Sequence, residues 1–231
     1  MALADGLVLR TPRWGIPSFL LALAGFLILS VVAVVVAEVL DLSLAWTVLL
    51  GTTLPWLGLG GWPLMATWLR GNGPRIDLGL RLTWTDVGWG LLGGLAALLL
   101  GGLVATGIQA LFPDLTSAAA EVGEELRGTG PYPAVVLFAL CVSIGAPIVE
   151  EIAFRGLGYN AIAKKGVASG WVIVITTVAF AAFHLEPLRM PILLVSGAIF
   201  GLLRWRTRAL GASIVAHAVN NLPGAAFLLL G

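Results

Sequence analysis

The sequence predicts an all-α integral membrane protein, a polytopic helical bundle of seven to eight transmembrane segments, and three observations carry that prediction. Of 231 residues, 59% are hydrophobic and only 11% charged, against about 25% charged in a soluble domain. Mean hydropathy is +1.01. The apolar residues form continuous runs rather than alternating with polar ones, which favours helices and disfavours a β-barrel. The length fits one transmembrane domain over residues 1–231. The net charge of +1 gives no sign of a nucleic-acid partner, and none is expected. The single Cys141 excludes an intramolecular disulfide and reads as a small buried hydrophobe.

Taken in order, the first segment is Pro17 to Val39. It follows Arg10 and Arg13, is too long for a signal-peptide core, and reads as an anchor that stays in place. The second runs from Leu44 to Leu69, with Pro55 and Pro63 expected to kink it; its tryptophans include interfacial anchors. The third, Val87 to Phe112, is rich in glycines that permit close helix packing in lipid. A polar insertion follows, Pro113 to Pro133, in which Thr116 or Ser117 is placed to cap a short surface helix. The fourth segment is Ala134 to Tyr159, the fifth Trp171 to Leu185, the sixth Pro191 to Leu203. Those last two fall short of the roughly 20 residues of a full span. The seventh, Leu210 to Leu230, is interrupted by Asn220-Asn221-Leu222-Pro223-Gly224, which predicts two half-helices and an eighth element.

Loop charges set the expected topology. Basic residues gather before the first segment (Arg10, Arg13), between the second and third (Arg70, Arg75, Arg81), after the fourth (Arg155, Lys164, Lys165) and after the sixth (Arg204, Arg206, Arg208). The alternate loops carry Glu38 and Asp41, then Asp114, Glu121, Glu124 and Glu125, then Glu186 with Arg189. Positive loops face the cytoplasm. The N-terminus is therefore expected there, with the end of the fourth segment near the same face.

Few polar groups remain at membrane depth. Glu150 and Glu151 come first, then His184 and His217, the chain's two histidines, then Asn220 and Asn221. A charge at the centre of a span costs roughly 2.5–3.5 kcal/mol on insertion scales, so each needs a reason. Glu151 and Arg155 are four apart and share a helix face, which allows an ion pair. Glu150 faces about 100° away and gains nothing from that pair. Phe180 and His184 are four apart, as are His217 and Asn221. Each group alone has an ordinary explanation: a packing histidine, a helix-ending Asn-Pro-Gly, a carboxylate reaching the interface beside Arg155. Their joint occurrence on three segments points to a site. A Glu can take a proton from water with a His to hold it, and a second His with an Asn amide can stabilise an oxyanion. Alternatively, Glu150, His184 and His217 are a ligand set for catalytic zinc. A proton relay of a coupled transporter and a non-catalytic scaffold or immunity protein are the rival functions; the first predicts an internal repeat, and none is found.

Glu150-Glu151-Ile152-Ala153-Phe154-Arg155 resembles the EExxxR motif of the CPBP intramembrane proteases, which comprise the CAAX prenyl endopeptidases and bacterial Abi-type proteins. Phe180-Ala-Ala-Phe-His184 is similar to that family's FxxxH motif, and His217-Ala-Val-Asn-Asn221 to its HxxxN motif. The likeness covers residues 134–223. It implies an intramembrane endopeptidase in which Glu150 activates water with His184 as partner, His217 and Asn221 form the oxyanion side, and Glu151, Arg155 and Phe180 support them. It implies either no cofactor, the preferred reading, or a divalent metal such as zinc. The implied substrate is a hydrophobic or lipidated peptide or protein reached among membrane lipids, and the composition reads as that of a multi-pass protein of a prokaryotic plasma membrane.

Overall fold

The structure, a computed structural model, describes residues 3–4, 7–113 and 116–230. Apart from a two-residue antiparallel pairing of Leu3–Ala4 with Leu7–Val8, the regular structure described is helical. Besides a four-residue helical turn at Pro74–Asp77, eight longer helices follow one another: α1 Ile16–Val39, α2 Leu44–Arg70, α3 Trp84–Gln109, α4 Ala118–Thr129, α5 Tyr132–Ala163, α6 Ser169–Phe183, α7 Met190–Thr207 and α8 Gly211–Leu230. The expected loop acid Asp114 lies outside the described residues.

Five helices, α1, α2, α3, α5 and α8, are long and apolar enough to cross a membrane. That is fewer than the seven to eight expected. Helix α6 has 15 residues, about 22 Å at 1.5 Å per residue, against a hydrocarbon thickness of about 30 Å. Helix α7 has 18 residues but ends in Arg204 and Arg206.

The predicted break in the last segment does not occur. Helix α8 runs unbroken from Gly211 through Asn220, Asn221 and Gly224 to Leu230, with Pro223 inside it. The proline removes one backbone bond, but in an apolar surround every other backbone polar group is best satisfied within the helix, so the helix persists. Helix α2 is interrupted by a turn at Leu54–Pro55, the first of its two expected kink sites, and then runs on through a π-helical segment at Leu57–Gly61 and past Pro63. At the start of α3 the sequence signal is a capping box. Thr83 Oγ1 accepts from the Asp86 amide at 3.2 Å, and Asp86 accepts from the Thr83 amide at 2.9 Å, so the helix starts at Trp84. Of the two candidate caps for α4, Ser117 is the one used, its Oγ accepting from Ala120 N at 3.1 Å.

The core sits where α1, α2, α5 and α6 meet. Phe154 is fully buried and makes edge-to-face contacts with Phe19, Phe180 and Phe183, with ring centroids 5.5–5.8 Å apart. Helices α1 and α2 cross with backbones touching: a Cβ on Gly58 would collide with the backbone of Gly25 and Phe26. At the bundle end beyond α5, Asp77 is a buried hub that accepts from Trp14 Nε1 at 2.7 Å and from Asn72 N at 2.8 Å. This leaves α5, α6 and α8 with facing sides in the bundle interior.

Candidate active site

Glu150 stands midway along α5. The helix continues from Glu150 to Ala163, about 20 Å at 1.5 Å per residue. Residues Ile152 to Gly158 that follow it are all buried. Two π-helical segments, Cys141–Gly145 and Ile152–Gly158, flank the short α stretch Ala146–Glu151. Such segments shift the register of side chains around a helix and concentrate at functional sites. Pro147, near the start of the α stretch, has no amide hydrogen to give to the preceding turn.

Three helices then bring their polar groups together. Glu150 Oε2 lies 3.9 Å from His184 Nε2 at the end of α6 and 3.8 Å from His217 Nε2 on α8. His184 Nδ1 is 2.8 Å from the Phe180 carbonyl. A carbonyl can only accept, so Nδ1 carries the hydrogen and a neutral His184 turns its Nε2 lone pair toward Glu150. His217 Nδ1 lies 3.1 Å from Glu151 Oε1, which orients the second imidazole in the same sense. Among the described residues, Glu150 Oε2 is enclosed and bonds no protein group, so it is free to accept from a water or a substrate.

Beneath this cluster, Glu151 and Arg155 are both fully buried. Arg155 Nη1 donates to Glu151 Oε1 at 2.9 Å, and Arg155 Nη2 donates to the Gly197 carbonyl of α7 at 2.9 Å. Phe180 lies between these groups. Its ring centroid is 4.7 Å from His184 and 5.6 Å from His217, and the Arg155 guanidinium sits 4.4 Å above it.

Asn221 is placed differently. One turn beyond His217, its amide donates to the Val142 carbonyl on α5 at 3.0 Å, and its Oδ1 accepts from Asn220 at 3.3 Å. It thus pins α8 to the π-helical turn of α5, with one amide hydrogen left to give. The structure therefore unites Glu150, Glu151, Arg155, Phe180, His184 and His217 directly, and Asn221 through the backbone. Two contributors carry no sequence motif. Gly197 supplies a carbonyl to Arg155, and Phe200 stacks on His217 with centroids 4.7 Å apart and planes at 22°. The only hint in sequence was the small pair Ser196-Gly197, which allows close approach.

The set Glu150, His184 and His217 does not fit a zinc ion as it stands. With ligand distances of about 2.0–2.1 Å, separations of 3.8–3.9 Å would need ligand–metal–ligand angles near 140°, against about 109° for a tetrahedron. Among the described residues, no group of three His, Cys, Asp or Glu side chains is arranged to hold a metal ion. A water with hydrogen bonds of about 2.8 Å to all three groups spans the same separations.

No curated protein and no solved structure matches the chain. The model of one protein family, the Rce1-like type II CAAX prenyl endopeptidases, matches residues 132–223. That stretch holds α5 to α8 as far as Pro223 and with them every residue of the cluster. Residues 132–223 are thus similar to the CAAX protease (CPBP) family, in a chain with several helices long and apolar enough to cross a membrane.

Proposed function

We propose that the protein is an intramembrane endopeptidase that hydrolyses a peptide bond with a water activated by Glu150 and His184, without a metal. The observation that carries the reading is the approach of two imidazole Nε2 atoms to one enclosed carboxylate oxygen, at 3.8 and 3.9 Å. In the proposed cycle the water gives its proton to Glu150 as its oxygen adds to the scissile carbonyl. The resulting oxyanion takes hydrogen bonds from His217 Nε2 and the remaining Asn221 amide hydrogen. Glu150 then returns the proton to the leaving amine as the C–N bond breaks. For His217 to donate, Nε2 must be protonated, since the Nδ1 hydrogen is committed to Glu151. The imidazolium then joins Glu150, Glu151 and Arg155 in a cluster of zero net formal charge, which suits a buried site.

The substrate class we propose is a hydrophobic or lipidated peptide or protein, in keeping with the prenylated CAAX substrates named for the matched family. We place the protein in a prokaryotic plasma membrane with a cytoplasmic N-terminus, on the loop-charge pattern, and count α6 and α7 with the five longer helices to give seven crossings. The family match favours hydrolysis over a transport relay or a passive scaffold.

The test is purified wild-type and Glu150→Gln protein with a quenched peptide ending in farnesyl-cysteine and three further residues. Loss of a general base is expected to lower the rate at least 10²-fold, and wild-type activity is expected to survive complete chelation of metals. Cleavage by Glu150→Gln at the wild-type rate sinks the assignment, and loss of activity on chelation with recovery on zinc sinks the metal-free cycle.

A further inference from the structure

A second polar centre lies away from the protease cluster, where the end of α5, the start of α6 and the end of α7 meet. Tyr159, Asn160, Ser169, Arg204, Arg206 and Arg208 line a cavity of about 520 Å³ there. Arg204 is only 7% exposed. A guanidinium so buried ordinarily has a carboxylate beside it. Among the described residues, no Asp or Glu oxygen lies within 4.0 Å of Arg204, Arg206 or Arg208. The protein gives Arg204 only neutral acceptors: the Arg155 carbonyl at 3.0 Å from Nε, and the Leu78 carbonyl and Asn160 Oδ1 at 3.5 and 3.4 Å from Nη2. Its Nη1 donates to no group among the described residues and is not among their enclosed unpaired atoms, so it is the edge reachable from the cavity. The positive charge there is reinforced, since Arg81 also reaches this corner, donating to the Thr207 carbonyl at 3.3 Å. Arg206 and Arg208 are exposed and would serve as topology anchors anyway. The same account fails for Arg204, which is buried and held by three backbone and side-chain oxygens.

We propose that this cavity binds a phosphate-bearing anion, with Arg204 as the preformed floor and the exposed Arg206 and Arg208 as walls. Two donors of a planar guanidinium fork match two phosphate oxygens, and basic pockets between transmembrane helices take anionic lipid headgroups. The ligand chemistry is shared by a phospholipid headgroup and by free phosphate, and the experiment separates the two.

Full-length protein purified in a neutral maltoside detergent is incubated with phosphatidylglycerol, phosphatidylcholine or inorganic phosphate. Bound lipid is counted by native mass spectrometry, and the thermal midpoint is recorded with each addition. The expected result is selective retention of phosphatidylglycerol, reduced roughly tenfold or more in the double variant R206Q/R208Q, as two surface arginines warrant. Both positions are exposed, so the fold survives their loss. The double variant R10Q/R13Q, with the same change in charge elsewhere, is expected to retain the lipid. A midpoint raised by inorganic phosphate and not by phosphatidylglycerol assigns the site to the free ion. Equal retention of both lipids with no phosphate effect overturns the proposal, as does an equal loss in the two double variants.

Discussion

Glu151 Oε1 accepts from Arg155 and faces His217 Nδ1 as well, so one buried oxygen joins an ion pair to the candidate oxyanion histidine. Removing either partner strands a charge in an apolar interior, which costs about 3–5 kcal/mol, whereas removing both removes the problem. Glu151→Ala and Arg155→Ala are therefore each expected to lower unfolding stability by about that amount, and the double variant by clearly less than the sum. Additive losses in denaturant titrations would show that the two groups do not act as a unit. Lys164, just beyond α5, presents the opposite case of a charge held at a disadvantage. Burial lowers its pKa from the ordinary 10.5 to about 8, partly offset by the negative charge of Asp77. The folded protein then binds fewer protons than the unfolded chain between these values, so Lys164 makes stability rise with pH from about 8 to 10.5. Its cost is fully present below pH 8. Thermal midpoints measured from pH 7 to 10 are expected to climb less steeply in Lys164→Met than in wild type, and an identical climb would remove Lys164 as the cause.

At the scale of elements, α6 matters for where it stops. His184 ends the helix, and Leu185 follows with φ of 56°, a left-handed conformation that costs an L-residue roughly 1–2 kcal/mol and that glycine adopts freely. Leu185 is 81% exposed, so its side chain recovers little by packing. Leu185→Gly is expected to stabilise the detergent-solubilised protein by up to about 1 kcal/mol with His184 still in place; a lowered midpoint would show that the leucine is needed as a contact. The stop itself was legible, since the apolar run was read to end at Leu185. So were the four-residue spacings that put Glu151 beside Arg155 and His184 beside the Phe180 turn. What misled was chemistry that means one thing in water and another in lipid. Asn220-Asn221-Leu222-Pro223-Gly224 breaks a soluble helix, yet α8 continues through it because unpaired backbone groups have no water to turn to. Arg155 counts in sequence among the basic residues after the fourth segment, yet it lies fully buried within α5. Partners such as the Gly197 carbonyl and the Phe200 ring depend on how α7 docks, which no local spacing encodes.

For the molecule as a whole, the histidine on α8 is only as well placed as α8 itself, and α8 is positioned chiefly by α3. Helix α3 carries glycines where α8 leans on it. A Cβ on Gly90 would lie 2.5 Å from the Val215 side chain and 2.9 Å from the Ala212 carbonyl, and one on Gly94 would lie 2.6 Å from Val219 and 2.9 Å from the Ala216 carbonyl. These contacts bracket His217 on both sides along the helix. In lipid no hydrophobic drive holds helices together, so close backbone approach through small residues has to do it. Adding a methyl group at either position forces α8 outward, because carbonyls cannot turn aside as a side-chain tip can. Gly90→Ala and Gly94→Ala are thus expected to cost about 1–3 kcal/mol each and to lower kcat by moving His217 away from Glu150 Oε2. Gly102 and Gly107 on the same helix meet nothing within 4 Å. Alanine there is expected to be neutral, or to stabilise by about 0.5–1 kcal/mol through helix propensity alone. Unfolding and cleavage measured on all four variants separate the two effects. If the pairs behave alike, the stripe is a matter of helix propensity and α3 does not set the site.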